Sequence, residues 1–594
     1  MVKTYFKTIM RMFRHHIVRF LNIIAIIVVS VGFMSGVGEA EQVINRAYVG
    51  EYREKNVSDL FLKGQFSPTD CDLIEEKMED WGLSEVHNAL SYDEKIGDDV
   101  VRFYYMDMND VPLNKFALVE GRLPSEHNEV LVERKTSFIK SYRLGETITL
   151  QASAFSYTVV GIIENPLILI NKEEPSYLKD EETDEYRTVT NVIYFSMEPP
   201  VVTDVYLTLQ DRTLFNAFSK EYNSKIAQLK EEIGELLPDV SVLGLKENKG
   251  VAELLGYAEK VGLIGIIFVI FFLLVTALVV FSNMTRLIDE ERAPIACMKT
   301  LGFSKGKILF KYLLFIGIAL VLGGALAWPV GYGLSAIIFK AFTTRYNMPP
   351  MPGGGNYFYF LFSCVIILVS SLLVTLFVGL KTAKAKPARL LVPKAPAAGK
   401  KTLLEHIPFI WNRFSFKYKS SIRNVFLFKS RFFMTAISVM GSTILVLAGF
   451  GLLDCVLKNA MAKVISIISV ALIIFAGALC ILVVYNIATI SIAERRREIA
   501  TLKVLGYHNK EVVGYIFREI FITNLIGALL GLPVGFFFLK FVFKLVNIGS
   551  IGDVNWWTWI VAPAVTIVFT AITVLMLYRQ IVKTDMNASL KAVE

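Results

Sequence analysis

Residue types that usually carry out chemistry are sparse in this 594-residue chain. Its histidines (His15, His16, His87, His127, His406 and His508) are scattered, without the H-E-x-x-H spacing that would hold a metal. The cysteines Cys71, Cys297, Cys364, Cys455 and Cys480 show no paired spacing, which argues against a disulfide framework or a CxxC metal site. Gly399-Lys400-Lys401-Thr402 is not a phosphate-cradling loop, and no G-x-S-x-G is present. What does recur is a charged amphipathic segment. It reads DEERAPIACMKTLGF from Asp289 to Phe303 and IAERRREIATLKVLGY from Ile492 to Tyr507. Each predicts a short helix that stops at Gly302 or Gly506, as a left-handed C-cap would. In the second copy Ile499, Leu502, Val504 and Leu505 form an apolar face beside a cationic one. A basic interfacial helix would explain the charge alone. Acidic and apolar positions that recur in register point instead to a helix that docks a protein partner.

These segments lie within a longer repeat. A shift of 204 residues lays Glu290–Tyr332 on Glu494–Phe536 without a gap, with 14 of 43 positions identical. Charged residues coincide, and Pro329-Val330-Gly331 falls on Pro533-Val534-Gly535. Apolar composition alone would not align these, so the chain contains an internal duplication. The first span of each half fits more loosely, with Arg19-Phe20 opposite Arg431-Phe432.

The elements that must position the two segments are membrane spans. The chain is 54% apolar and only 20% charged. Uncharged stretches of about 20 residues or more, enough to cross a bilayer core, occupy Phe20–Gly38, Val261–Thr285, Tyr312–Phe339, Asn356–Leu380, Phe432–Leu453, Val464–Ala493, Ile520–Leu539 and Val554–Tyr578. Eight spans place both termini on one side. With the termini cytoplasmic, thirty-three Lys/Arg fall in inner segments and six in short outer loops, which sets the orientation by the positive-inside rule. Residues 38–258 carry a balance of −19 and the remainder +27, so the acidic segment is extracytoplasmic and soluble-looking. This pattern excludes a soluble enzyme and argues against a nucleic-acid binder. The first span lacks an A-x-A-like cleavage site and reads as a retained anchor. No span carries an ionisable residue inside it, which disfavours a proton- or sodium-coupled carrier and a charged pore. Arg518 and Glu519 sit at a span edge, where snorkelling or capping suffices.

The resulting fold class is an α-helical polytopic membrane protein, a tandem 4+4 repeat of eight transmembrane helices, with one α/β extracytoplasmic domain. Residues 1–38 hold an N-terminal interfacial segment and the first span, and 39–258 the external domain. Residues 259–382 complete the first four-span unit, 383–430 form a cytoplasmic linker, and 431–594 form the second unit, without a second external domain. In the external domain the sequence predicts helices over Asp70–Trp81 and Asp211–Leu237 and strands over Thr147–Leu150 and Tyr157–Ile163. The acidic run Lys179–Glu185 reads as a solvated loop. In the linker, Leu403–Tyr418 mixes aromatics with basic residues and predicts an interfacial amphipathic helix.

At the two recurring segments the sequence resembles the FtsX-like/MacB-like permease subunits of ABC transporters, the type VII architecture. That family carries E-R-R-x-E-I-x-x-L-[KR]-x-[LI]-G between the second and third spans of each four-span unit. Glu494–Gly506 matches this closely, and Glu290–Gly302 is a degenerate copy with Ala293-Pro294 in place of Arg-Glu. The external stretches LVEGRLP (118–124), NEVLV (128–132), GETIT (145–149) and YTVVG (157–161) resemble a MacB-like periplasmic core domain, and DMNASLKAV (585–593) resembles the family's ending. The resemblance implies a bacterial cytoplasmic-membrane protein that is not itself an enzyme. ATP and magnesium would be bound by a cytoplasmic ABC ATPase, in two copies, and no cofactor by this chain. ATPase coupling is implied for Glu494, Arg495, Arg496, Glu498, Ile499, Lys503, Leu505 and Gly506, and more weakly for Glu290, Arg292, Lys299, Leu301 and Gly302. The external domain would transmit force, for export, extraction or resistance involving a membrane-associated peptide, lipid or lipoprotein, or act on a cell-wall protein. Membrane lipids are the other implied partner. A regulatory or signalling scaffold that controls a sensor kinase or a cell-wall hydrolase is the second reading. A membrane-anchored adhesion or structural protein, a third, would not need duplicated coupling-type loops.

Overall fold

The computed structural model describes residues 2–96, 99–108, 111–134, 142–149, 156–169, 174–179, 186–212, 218–353, 357–391, 405, 409, 412–413, 415–427, 429–456, 462–494 and 496–582. In chain order the helices are α1 (Val2–His15), α2 (Ile17–Glu54), α3 (Pro68–Trp81), α4 (Lys220–Leu236), α5 (Lys249–Glu290), α6 (Arg292–Thr300), α7 (Lys305–Phe342), α8 (Phe358–Lys384) and α9 (Pro387–Leu391). The second half follows with α10 (Phe416–Leu427), α11 (Lys429–Val456), α12 (Ala462–Glu494), α13 (Arg496–Val504), α14 (Asn509–Val546) and α15 (Thr558–Val582). Eight of these are long and apolar enough to cross a membrane: α2, α5, α7, α8, α11, α12, α14 and α15. The chain is a multi-pass membrane protein that divides into two compact units. One comprises Met1–Ala40, Lys260–Ile338 and Asn356–Glu594, the other Glu41–Glu259 and Phe339–Gly355.

In the helical unit, the repeat extends beyond what the 204-residue register showed. The 412-residue offset that pairs Arg19 with Arg431 also lays α1 on α10, so each half opens with a short helix before its first span. The expected interfacial helix over Leu403–Tyr418 lies mostly outside the described residues, and the described helix here is α10. Within each half, the third span packs on the first through a stripe of small residues: Gly323, Ala327 and Gly331 on α7, and Gly527, Gly531 and Gly535 on α14. A Cβ at Gly331 would meet the Ser35 hydroxyl, and one at Gly527 would sit 2.7 Å from the Ala436 carbonyl oxygen. Close backbone approach of this kind is how helices associate where no hydrophobic effect separates them from lipid. The halves meet through rings. Phe33, stacked at 4.8 Å on Phe272 of its own half, touches Phe475 of the other at 5.4 Å, while Phe271 meets Phe538 at 5.0 Å. The first span of one half therefore faces the second span of the other, α2 against α12, and Gly441 of α11 lies against Val275 of α5. The most apolar stretch of α11 is 78% buried in protein, whereas those of α8 and α15, at 28%, are the least enclosed of the eight, followed by α14 at 33%.

The second unit is built on a ten-stranded sheet. Its strands run in the order Ser241–Gly244, Leu60–Phe66, Val202–Leu209, Leu83–Ile96, Asp99–Met106, Asn191–Ser196, Glu129–Glu133, Ser156–Glu164 and Ala117–Gly121, with Thr147–Thr149 paired to Ser156–Glu164. Helices α3 and α4 cover one end. Tyr222, Ile226, Leu229 and Ile233 recur at helical spacing on α4 and pack with Leu60, Leu62, Ile74 and Leu207. Burial of such side chains stabilises by about 1.5–3 kcal/mol each. A second core, with Val101, Phe103, Val130, Val159, Ile193 and Phe195, fills the other end. The helix expected over Asp70–Trp81 begins at Pro68. Ser67 caps it reciprocally with Asp70, and Gly82 ends it at φ +71°.

The helix expected from Asp211 begins only at Lys220, capped by Ser219. Arg212 is drawn away to Asp59, which is fully buried and also accepts hydrogen bonds from Tyr52, Tyr222, Thr208 and the Leu209 amide. A buried carboxylate needs these donors, and that demand overrides the local helical pattern. The strands expected at Thr147 and Tyr157 are present, although residue 150 falls outside the described residues. Of the acidic run, Lys179 ends a strand paired with Tyr186–Val189, and residues 180–185 fall outside the described residues.

Candidate functional site

The two recurring segments form α6 and α13, nine residues each. Both end in the same hydrogen-bonded cap. In α6 the Phe303 amide donates to the Met298 carbonyl and the Gly302 amide to Lys299; in α13 Tyr507 donates to Leu502 and Gly506 to Lys503. Gly302 at φ +81° and Gly506 at φ +86° supply the left-handed residue that this cap requires. No atom lies within 4 Å of where a Cβ would stand at either glycine, so the requirement is purely conformational.

The inner faces match as well. Ile295 and Ala296 are buried under α6, as are Ile499 and Ala500 under α13. Ile499 packs into a cluster with Ala488, Ile492, Val512, Val513, Ile516 and Leu577, contributed by α12, α14 and α15.

The duplicated lysines also turn inward. Lys299 donates to the Ala383 and Ala385 carbonyls at the end of α8, and Lys503 donates to the Val582 carbonyl at the end of α15. The last carbonyls of a helix have no intrahelical partner and carry its negative pole, so an ammonium there satisfies both. The coupling list drawn from the sequence therefore divides. Ile499, Lys299 and Lys503 hold the helices onto the spans. Glu290 pairs with Arg19, and Arg292 reaches the Arg389 carbonyl of α9 at 3.2 Å. What faces outward is the C-terminal end: Leu301 is 74% exposed and Leu505 69%, beside exposed Gly302 and Gly506, with Glu498 exposed on α13. Arg495 lies outside the described residues, as do the side chains of Glu494 and Arg496.

Around α6 the structure adds residues that the repeat did not indicate. Tyr5 of α1 stacks on Phe303 at 6.0 Å, and its hydroxyl donates to the Lys307 carbonyl at 2.6 Å. Together with Leu301, Gly302, Gly306, Lys307 and Phe310 it lines a groove of about 380 Å³. Deeper in, Glu291 receives Lys311 at 2.6 Å and His16 at 3.4 Å. Burial alone would push this carboxyl up, but its bonds to His16 and Lys311 prevail and hold it at about 2. By the 204-residue register, Glu291 corresponds to Arg495 and Lys311 to Tyr515, so this charge set belongs to the first half alone. The signal was therefore in the sequence, as a departure from the repeat. Among the described residues, no three His, Cys, Asp or Glu side chains stand close enough to hold a metal ion. The exposed ends at Leu301 and Leu505 offer apolar surface on which a partner could dock.

The chain matches the family described as FtsX-like permease C-terminal over residues 266–387 and again over residues 470–586. Each match contains one of the two short helices, so the duplication is a duplication of this module. No curated protein matches the chain.

Proposed function

We propose, from its place as an FtsX-like permease of an ABC transporter, that this chain supplies both permease halves and docks one ATPase subunit at each of α6 and α13. The observation that carries this reading is the twofold recurrence of one local construction: an inward isoleucine and lysine, a glycine cap, and an exposed leucine just before it. ATP and magnesium belong to the ATPase subunits. Their approach would push α6 and α13, which are tied through Lys299 and Lys503 to the ends of the fourth spans, and the spans of each half would shift against the ring-packed seam. Helices α2 and α5, of 38 and 42 residues, are about 57 and 63 Å long, well beyond a bilayer core of about 30 Å. Helices of that length suit the transmission of force to the α/β unit, which in this reading lies outside the cytoplasm, as the charge of the connecting loops suggests. That unit would then act on a membrane-associated peptide, lipid or lipoprotein, or on a cell-wall partner.

The inward turn of Lys503 makes it a poor probe of docking, because its loss also frees the end of α15. Leu301→Asp and Leu505→Asp alter only exposed positions. Each is expected to reduce co-purification of the cognate ATPase, and the pair to abolish it; undiminished association of the double variant would refute the assignment. Mass measurement of the intact complex is expected to give one permease with two ATPase subunits, and two permease chains would contradict that stoichiometry.

A further inference from the structure

We propose that α1 is a binding arm for anionic phospholipid headgroups, and that the lipid-held arm steadies α6 but not α13. The helix has three faces. Ile9, Met12 and His16 turn inward against the protein, and Phe13 packs on Phe315 at 5.0 Å. Phe6 and Met10 form an exposed apolar stripe that continues into Ile17, Val18 and Leu21 at the start of α2. Lys7, Arg11 and Arg14, spaced at i, i+4 and i+7, form a parallel exposed cationic stripe. An apolar stripe that runs directly into a membrane span fixes where this helix lies, at the boundary between acyl chains and headgroups. The adjacent cations then face the headgroup layer.

None of the three cations makes an ion pair among the described residues. Two other basic residues are satisfied by the protein itself: Arg19 pairs with Glu290, and Arg423 of α10 donates to Glu405 at 2.8 Å. Three cations that make no ion pair with the described residues, beside an apolar stripe at a membrane surface, call for an anionic lipid, and each contributes to its attraction. The arm contacts the residues that flank α6 on both sides. Tyr5 stacks on Phe303 and bonds to Lys307, and His16, in the turn after α1, contacts Glu291. Only the second part of the proposal bears on the docking role given to α6; lipid binding itself does not depend on it.

Native mass spectrometry of the detergent-purified full chain, titrated with phosphatidylglycerol or phosphatidylcholine, tests the first part. Phosphatidylglycerol is expected to bind more tightly. The combined change Lys7→Gln, Arg11→Gln and Arg14→Gln should weaken it by about fivefold per cation, on the order of a hundredfold in all. Arg423→Gln, which removes a cation already paired, should leave lipid binding unchanged. Equal affinity for the two lipids, or a triple variant that keeps its phosphatidylglycerol, overturns the site. Hydrogen exchange in nanodiscs with and without phosphatidylglycerol tests the second part. Residues 292–303 should exchange more slowly with the anionic lipid, an effect the triple variant loses, while residues 499–507 should not respond. A lipid effect of equal size in both segments, or in neither, overturns the link to α6. Neither measurement involves the ATPase, so their failure and failure of the docking assignment are distinguishable.

Discussion

The two halves of the membrane unit carry the same short helix and hold it by different means. On the inner faces of α6 and α13 the construction is the same: isoleucine and alanine buried, lysine on the end of the fourth span, glycine in the cap. Around α6 there is in addition a charge set, with Glu291 between His16 and Lys311, Glu290 on Arg19, and Tyr5 stacked above. Around α13 the described contacts are mainly apolar, through Ile499 and its cluster. Duplication has preserved the parts that set shape and let the parts that set attachment diverge.

The largest expected effect separates the halves most sharply. Glu291→Ala leaves the Lys311 ammonium, whose side chain is 4% exposed, buried without its partner. Loss of one member of such a pair costs about 3–5 kcal/mol. Thermal unfolding of the detergent-purified chain should fall accordingly, and Lys311→Met in the same chain should recover much of the loss. An unchanged melting temperature would mean that the charge set does not distinguish the halves. The same pair predicts a pH response. Because Glu291 is held at about 2, below an ordinary carboxyl near 4.3, its contribution is fully present above the ordinary value. It is lost as pH falls from there through about 2. Hydrogen exchange over that window should loosen residues 292–303 before residues 499–507; simultaneous loosening would break the comparison.

Smaller effects test what the halves share. Ile295→Ala and Ile499→Ala should each cost about 2–4 kcal/mol by leaving cavities under the short helices, read from the same melts. Unequal losses would show that the inner faces are less alike than their burial implies. Gly302→Ala and Gly506→Ala should cost about 1–2 kcal/mol each, from the left-handed backbone alone. Lys299→Met and Lys503→Met should cost about 1 kcal/mol each, the worth of an ammonium on orphaned helix carbonyls. Their exchange signature should appear at the ends of α8 and α15, where the freed carbonyls lie, as faster exchange of the last turn.

Much of this is legible in the amino-acid sequence alone. Long uncharged stretches announce spans because a bilayer punishes interruptions, and the repeat register brought Glu290–Gly302 and Glu494–Gly506 to attention together. The glycine caps also followed from local chemistry, since few residues tolerate positive φ. Side-chain direction did not. Lys299 and Lys503 look the same in sequence whether they face a partner or a helix end, and only the position of α8 and α15 decides between them. The start of α4 departs from the local pattern for a similar reason: Arg212 continues a helical pattern locally, but Asp59, 153 residues away in sequence, claims it.

By itself the sequence determined that this is a membrane protein made of two related four-span units with one inserted α/β domain, because hydropathy, charge and repetition are properties of the chain alone. The tertiary structure decided which residues of the recurring motif are spent on internal support and which remain exposed. It also decided that Tyr5 of α1 and the adjacent His16 meet the residues flanking the first short helix. Both are matters of which distant groups come within hydrogen-bonding reach, and burial makes those long-range choices outweigh local pattern.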